Sequence, residues 1–216
     1  MNPDKYSAIV VHSTPKNAYR IRPLKAELSR VGIDRFEIVS SPDPLTKAVH
    51  DTLQRFVREG WENALFLEDD IRFLRDADEV RRIFEGAPER EYDICSFDNF
   101  IHLPQEVVRR LRADGRWYEY MHGLCGTSCW SLNRRAAEIL LRSYESHPKE
   151  PTDSLLFMKH QDIRSAFYTR CACIQLCYRD CNNVRNGWCR EHHMGYFALD
   201  YADYNVPRGY VFGSMV

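Results

Sequence analysis

Hydrophobic and polar positions along the first third of the chain alternate between the spacing of strands and that of helices. Residues 6–12, YSAIVVH, form a compact apolar run that predicts a strand. Residues 20–31 repeat leucine and valine at helical spacing, and Gly32 follows as a stop signal. This stretch therefore predicts a strand, a loop and then a helix.

A second strand and a second helix follow, and then a third strand. Residues 34–40, DRFEIVS, predict the strand, and apolar residues keep helical spacing from Leu45 to Val57 before Gly60. Residues 64–67, ALFL, are typical of a strand that is buried on both faces. The order β-α-β-α-β predicts an α/β fold with a mostly parallel central sheet flanked by helices.

Shorter elements are predicted beyond residue 70. Residues 79–86 favour a helix, residues 92–100 a strand with a loop, residues 122–133 a segment of small residues, and residues 134–144 a helix. The chain shows no internal repeat, linker or low-complexity tract. At 216 residues, we predict a single domain over 1–216.

Three carboxylates, Glu68, Asp69 and Asp70, stand directly after the apolar run ALFL. Adjacent carboxylates repel one another, so we expect a positive charge beside them. A solvated loop tip is one interpretation. The other is a ligand site, because ligands of such sheets bind outside the carboxyl ends of the strands. His12 and Ser13, at the end of the first strand, belong to the same edge.

A divalent cation that holds a diphosphate would suit this edge, since Mn²⁺ and Mg²⁺ prefer oxygen ligands. Successive side chains of a strand point to opposite faces. We therefore expect Glu68 and Asp70 on one side and Asp69 on the other, where it caps the next turn. Asp70 is then the predicted direct metal ligand, and Glu68 acts through water or on a ribose.

Composition is that of an ordinary globular domain, with 44% hydrophobic and 28% charged residues. No apolar run approaches the roughly 18 residues that cross a bilayer. Residues 1–5 lack the features of a signal peptide, so we expect a reducing cytoplasmic compartment, in a bacterium or virus. The eight cysteines then favour thiols, and a net charge of −1 gives no footprint for nucleic acid.

Several motifs resemble glycosyltransferase family 25, the lipooligosaccharide and collagen galactosyltransferases of the GT-A fold. LFLEDDIRF matches the family's acidic strand, and the helix that starts at KAVH precedes it. YDICSF, GTSCWSLNRRAAEILL and PTDSLLF follow in the family's order, so the resemblance spans about residues 6–160. The chain departs from the family in Val49 before His50, in Tyr92, in its length and in its cysteine-rich tail.

The resemblance implies a GT-A-like domain that binds its donor with about residues 1–100 and its acceptor with about residues 101–216. It implies a nucleotide-sugar donor, usually linked to UDP, a manganese ion, and a glycan or other hydroxyl acceptor. It also implies that Arg20 contacts the base or phosphates, the alternative being a solvated arginine at a helix start. His12 is a candidate nucleotide contact or a hydrogen-bonded structural histidine.

Asp153 is the candidate base that takes a proton from the acceptor hydroxyl, because it lies outside the acidic triplet. Its alternative role is an N-cap for the following segment SLLFMKH. Asp98 is the reserve candidate. Gly123, Gly126 and Thr127 either let the backbone approach the sugar or make a tight turn.

The cysteine- and arginine-rich segment after residue 170 raises a second hypothesis. Cys177, Cys181 and Cys189 with His192 or His193 could form a tetrahedral zinc site, the alternative being core thiols. His192 is also a candidate to complete the manganese site, as a C-terminal histidine does in GT-A enzymes generally. A zinc-stapled binding module and a sugar transferase acting on modified nucleic acid stay open, as does a nucleotidyltransferase, although STPKNAYR lacks its glycine-rich loop.

Overall fold

The structure, a computed structural model, describes residues 5–42, 44–88, 90–98, 115–120, 127–152, 155, 162–169 and 172–175. Its helices are α1 (Ala18–Arg30), α2 (Leu45–Glu59), α3 (Ala77–Glu85) and α4 (Arg134–Ser146), and a short 3-10 helix covers Pro15–Asn17. Its strands are β1 (Ala8–Ser13), β2 (Glu37–Ser40), β3 (Asn63–Glu68), β4 (Ile71–Phe73), β5 (Ile94–Ser96), β6 (Trp117–Tyr120), β7 (Cys129–Asn133), β8 (Ser165–Tyr168) and β9 (Cys173–Gln175).

Seven of the described strands form one mixed sheet in the order β2-β1-β3-β7-β5-β8-β6, while β4 and β9 pair separately. Strand β1 is parallel to β2 and β3, and β5 is parallel to β8. Strand β7 is antiparallel to both β3 and β5, and β6 is antiparallel to β8. Five strands therefore share one direction, and their carboxyl ends meet the amino end of β7 at one edge.

Apolar side chains of the strands alternate between two hydrophobic clusters, one on each face of the sheet. In β3, Leu65 and Leu67 join the cluster that contains α1 and α3, whereas Ala64 and Phe66 join the cluster with α2 and α4. The buried helix residues of the first cluster include Leu24, Leu28, Val80 and Phe84, and those of the second include Val49, Leu53, Phe56, Ala137 and Leu140. The predicted α/β fold, a central sheet flanked by helices, is confirmed.

The helix boundaries follow from local chemistry. Helix α2 stops at Gly60, whose φ of 72° lies in the left-handed region that glycine adopts without strain. Helix α4 starts directly after β7, where the side chain of Asn133 accepts a hydrogen bond of 3.0 Å from the amide of Ala136. No helix among the residues that the structure describes is long and apolar enough to span a membrane.

Candidate functional site

The acidic triplet lies at the carboxyl edge of the sheet, but its side chains do not alternate as predicted. Strand β3 ends at Glu68, and Asp69 and Asp70 form a turn into β4. Strand geometry therefore does not apply to the two aspartates, and the prediction that Asp69 points away from Asp70 is wrong. Both aspartates are about 5% exposed, so a solvated loop tip is excluded as well.

Arg20 supplies the positive charge that the triplet requires. One nitrogen, Nη1, donates to Oδ1 of Asp69 at 3.1 Å and to Oδ2 of Asp70 at 3.3 Å. The hydroxyl of Ser13, at the end of β1, donates to Oδ2 of Asp69 at 2.5 Å. Arg20 is 4% exposed, so it is not the solvated helix-start arginine of the alternative interpretation. We call these four residues, Ser13, Arg20, Asp69 and Asp70, the arginine cluster.

Glu68 lies in a different environment on the side of β7. Thr127 donates a hydrogen bond of 2.8 Å to Oε1 of Glu68, because the amino end of β7 meets the carboxyl end of β3. Burial of the carboxyl group, and then the charges of Asp70, Asp98 and Asp69, raise the pKa of Glu68 to about 8, against a lowering by the Thr127 hydrogen bond. Without a cation at this edge, the neighbouring negative charges therefore favour the protonated form of Glu68.

Asp98 follows β5 and is 1% exposed. Its Oδ2 accepts hydrogen bonds from both the amide and the hydroxyl of Ser128 and from the amide of Cys129, and its Oδ1 accepts one from Ser96. These contacts fix the amino end of β7 against β5. A carboxylate that is buried and bonded in this way favours a structural role over that of an acceptor base, because the base must reach an incoming hydroxyl.

His12 has the contacts of the structural alternative. It is 3% exposed, its ring packs edge-on against Phe66, and its Nε2 lies 3.0 Å from Oγ1 of Thr52. The Thr52 hydroxyl donates its own hydrogen to the carbonyl of Ala48, so the imidazole donates from Nε2. Burial lowers the pKa of His12 to about 4, and the ring is therefore neutral. A nucleotide contact by His12 gains no support from this position.

The oxygen donors of this edge fit a divalent cation. Together with burial, the negative charges of Asp70, Asp98 and Asp69 raise the pKa of Glu68. A cation bound beside Glu68 and Asp70 would offset these charges. Among the described residues, no group of three or more histidine, cysteine, aspartate or glutamate side chains is arranged to hold a metal. The described side chains would thus supply one or two ligands, as Mg²⁺ and Mn²⁺ sites on nucleotides commonly have, with phosphate and water oxygens as the rest.

Several predicted residues lie outside the part of the chain that the structure describes. They include the candidate base Asp153 and the metal candidate His192, together with Gly123 and Gly126. The cysteines and histidines of the zinc hypothesis, Cys177, Cys181, Cys189 and His193, lie outside it as well. Thr127 is described, and its hydroxyl donates to Glu68; the role predicted for its backbone, in a turn or against the sugar, stays a prediction.

The pairing of Arg20 with Asp69 and Asp70 was missed by sequence reasoning, although its two halves were present. The repulsion within the triplet called for a cation, and Arg20 was a candidate on the same sheet edge. The 3-10 helix over Pro15–Asn17 returns the chain from β1 into α1. This short connection places Arg20 over the end of β3, and it could have been anticipated from the common edge.

Comparison with known proteins gives only distant structural likenesses. No protein-family model and no curated protein matches the chain. A glycosyltransferase involved in glycosylation of the major capsid of PBCV-1 covers 79% of this chain and 94% of its own, at 11% identity and a TM-score of 0.48. The mannosyltransferase PcManGT from Pyrobaculum calidifontis, in complex with GDP-Man and Mn²⁺, covers 95% of this chain and 67% of its own. Its sequence identity to this chain is 14% and the TM-score is 0.48.

A third likeness is to A197 from STIV, which covers 76% of this chain and 82% of its own, at 15% identity and a TM-score of 0.46. Likenesses of this size carry no argument about activity.

Proposed function

We propose that this chain is a metal-dependent glycosyltransferase with a GT-A-like domain, which moves a sugar from a nucleotide-sugar to a hydroxyl acceptor. The observation that carries the proposal is the acidic triplet at the carboxyl edge of the sheet, where the buried Asp70 and the half-buried Glu68 offer oxygen ligands beside the guanidinium of Arg20. The motif resemblance to glycosyltransferase family 25 supports the same reading. Membership of that family is part of the proposal.

Asp70 and Glu68 are the residues that would hold Mn²⁺ or Mg²⁺ at this edge. When bound, the metal supplies Lewis-acid stabilisation of the departing diphosphate. Arg20 supplies a second positive charge, and the planar guanidinium suits bidentate contact with phosphate oxygens. Ser13 keeps Asp69 in place from the opposite side, so that Asp69 orients Arg20.

The donor and acceptor follow from the resemblance. It favours a UDP-linked sugar, and the acceptor is a glycan or another molecule with a free hydroxyl. We assign the proton-accepting step to Asp153, because a base for the acceptor must stand apart from the metal ligands. His192 is proposed as a further metal ligand, because a C-terminal histidine completes the metal site in GT-A enzymes generally.

Calorimetric titration tests the proposal. UDP, GDP and their common sugar conjugates are titrated into the protein with Mn²⁺ and with chelator, for the wild type and for Asp70→Asn. We expect one nucleotide to bind in a metal-dependent way, and we expect Asp70→Asn to weaken this binding on the order of 100-fold, because a metal ligand is lost.

Asp93→Asn is the matched control. Asp93 is also a buried aspartate that accepts a hydrogen bond from an arginine, Arg135, but it precedes β5 and so lies at the opposite edge of the sheet. Its substitution is expected to leave nucleotide affinity within about threefold once the fold is verified by circular dichroism. Failure of every nucleotide to bind the wild type, with or without metal, would reject the proposed function.

A further inference from the structure

Arg20 occupies the place of a cation between Asp69 and Asp70. A single nitrogen bridges both carboxylates, and all three side chains are about 5% exposed. The guanidinium stays protonated under all ordinary conditions, so it cannot leave this place by losing its charge. The protein thus carries an internal counter-ion on the aspartate that is proposed to bind the metal.

A metal ion and the guanidinium compete for Asp70. Two cations on one carboxylate repel each other, and the repulsion is strong where water is excluded. A buried arginine that loses its carboxylate is also costly unless it gains another anion. A diphosphate is such an anion, because its oxygens accept charge-assisted hydrogen bonds from a guanidinium.

The surroundings of Arg20 leave it a path towards an incoming ligand. Its Nε donates to the hydroxyl of Tyr19 at 3.1 Å, and its guanidinium carbon lies 5.6 Å from the centre of the Tyr19 ring. Tyr19 is 53% exposed, so the arginine cluster reaches the surface at this point. Asp69 keeps the hydroxyl of Ser13 as a partner if the guanidinium shifts.

We propose that Arg20 couples the binding of metal to the binding of nucleotide, an inference that rests on the proposed function. While Arg20 holds Asp70, the metal binds weakly. A nucleoside diphosphate takes up the guanidinium and thereby frees Asp70 for the metal. Linkage makes the effect reciprocal, so the metal raises nucleotide affinity by the same factor.

Titration of Mn²⁺, followed by the electron paramagnetic resonance signal of the free ion, measures the coupling. The metal is titrated alone and with saturating UDP or GDP, for the wild type and for Arg20→Met. In the wild type, we expect nucleotide to tighten Mn²⁺ binding at least about tenfold. In Arg20→Met, we expect Mn²⁺ alone to bind at least about threefold more tightly, because the competing cation is gone, and the coupling factor to fall below about threefold.

Two further variants keep the test decisive. Arg75→Met is the matched control, because Arg75 is equally buried and pairs with Glu79 instead, and it should retain the wild-type coupling. Arg20→Lys keeps the charge but loses the planar fork, so an intermediate coupling factor is expected. If Arg20→Met does not fold, Arg20→Lys decides, and wild-type coupling in that variant would overturn the proposal.

Thermal unfolding gives an independent readout. In chelator, Arg20→Met and Arg75→Met should both unfold at lower temperature than the wild type. Arg20→Met leaves the buried Asp69 and Asp70 without their counter-charge, and Arg75→Met breaks the pair between a buried arginine and the half-buried Glu79. Added Mn²⁺ should restore stability to Arg20→Met more than to Arg75→Met. A purely structural role for Arg20 predicts equal responses to Mn²⁺, and that result would contradict the proposal.

The outcomes separate this inference from the proposed function. If neither UDP nor GDP binds the wild type, the proposed function fails, and Mn²⁺ alone then decides whether Arg20 competes with a metal. Tighter Mn²⁺ binding by Arg20→Met supports the competition, and unchanged binding overturns it. If nucleotide and metal bind but the coupling factor is the same in Arg20→Met, the proposed function stands and the inference is wrong.

Discussion

Helix α1 carries a charged cluster near each end, and the two clusters use different kinds of partner. Near its start, Arg20 binds the side chains of Asp69 and Asp70. Near its end, Glu27 accepts a hydrogen bond of 2.8 Å from the amide of Phe73 and pairs with Arg30, which in turn donates to the carbonyl of Phe73 at 2.9 Å.

The difference lies in which partners can be exchanged. The Glu27 cluster, which consists of Glu27 and Arg30, binds backbone groups of Phe73, the last residue of β4, and of Arg75. A ligand cannot replace these groups without unfolding that segment. Its charges therefore act as a clamp between α1 and β4. The contacts of Arg20 with Asp69, Asp70 and Tyr19 are with side chains at the ligand edge, and we propose that a metal or a phosphate replaces the two carboxylate partners. A structural role at the end of α1 thus contrasts with the exchangeable role that we propose for the arginine cluster at its start.

Removal of Glu27, which joins α1 to β4, should lower the free energy of unfolding more than the other changes. Glu27→Ala leaves the buried amide of Phe73 without its acceptor and removes the carboxylate from Arg30, so we expect a loss of about 3 kcal/mol in the free energy of unfolding. Urea unfolding measures this loss. Mn²⁺ and UDP should not restore it, and a restoration equal to that of Arg20→Met would show that the two clusters do not differ.

The pH dependence of stability tests the end of α1 and β1 that carries the arginine cluster, because His12 directly precedes Ser13 in β1. The pKa of His12 falls from 6.5 to about 4 through burial, so the folded protein binds fewer protons than the unfolded chain between these values. Stability should therefore fall as the pH falls through this window, by about 2 kcal/mol between pH 7 and pH 5. Urea unfolding at several pH values should show this slope in the wild type.

His12→Gln keeps an N–H donor for Thr52 and does not titrate, so it should lose most of this slope. An unchanged slope in His12→Gln would mean that another group accounts for the acid sensitivity.

Removal of the hydroxyl of Ser13 should have the smallest effect of the three. Ser13→Ala takes one donor from Asp69 but leaves Arg20 in place, so a loss of about 1.5 kcal/mol is expected for a hydrogen bond to a charged group. Ser143→Ala is the control, because Ser143 is also buried and donates to a neutral carbonyl, that of Ile139. A smaller loss in Ser13→Ala than in Ser143→Ala would place the negative charge of Asp69 in doubt.

Local patterns were sufficient to predict the first half of the fold. Apolar runs defined β1 and β3, helical spacing defined α1 and α2, and their order gave parallel strands with a common carboxyl edge. The same edge brought Ser13, Arg20 and the acidic triplet together. The strands and helices depend on residues a few positions apart, whose spacing can be read along the chain. The partners in the arginine cluster lie 49 to 56 positions apart, and only the common edge of the sheet indicated that they meet.

Long-range pairing accounts for what the sequence did not predict. Strand β7 enters between β3 and β5, and this places Thr127 beside Glu68, although 59 positions separate them. The predicted alternation of Glu68, Asp69 and Asp70 between the two faces was wrong, because β3 ends at Glu68 and the two aspartates follow in a turn. Glu27 gave no local signal at all, because its backbone partner at Phe73 lies 46 residues away.

The position of β7 also bears on how the chain folds. Strand β3 can pair with β1 as soon as residues 8–68 are available, but its other side is completed only by Cys129–Asn133. Pairings between such distant segments form slowly, because a long loop must close first. During synthesis, the edge of β3 that leads to Glu68 stays uncovered while roughly 60 further residues leave the ribosome, an interval of several seconds at ordinary elongation rates. An apolar strand edge left open for that long is a place where nascent chains associate wrongly, and the acidic residues at its end are well placed to keep such chains apart.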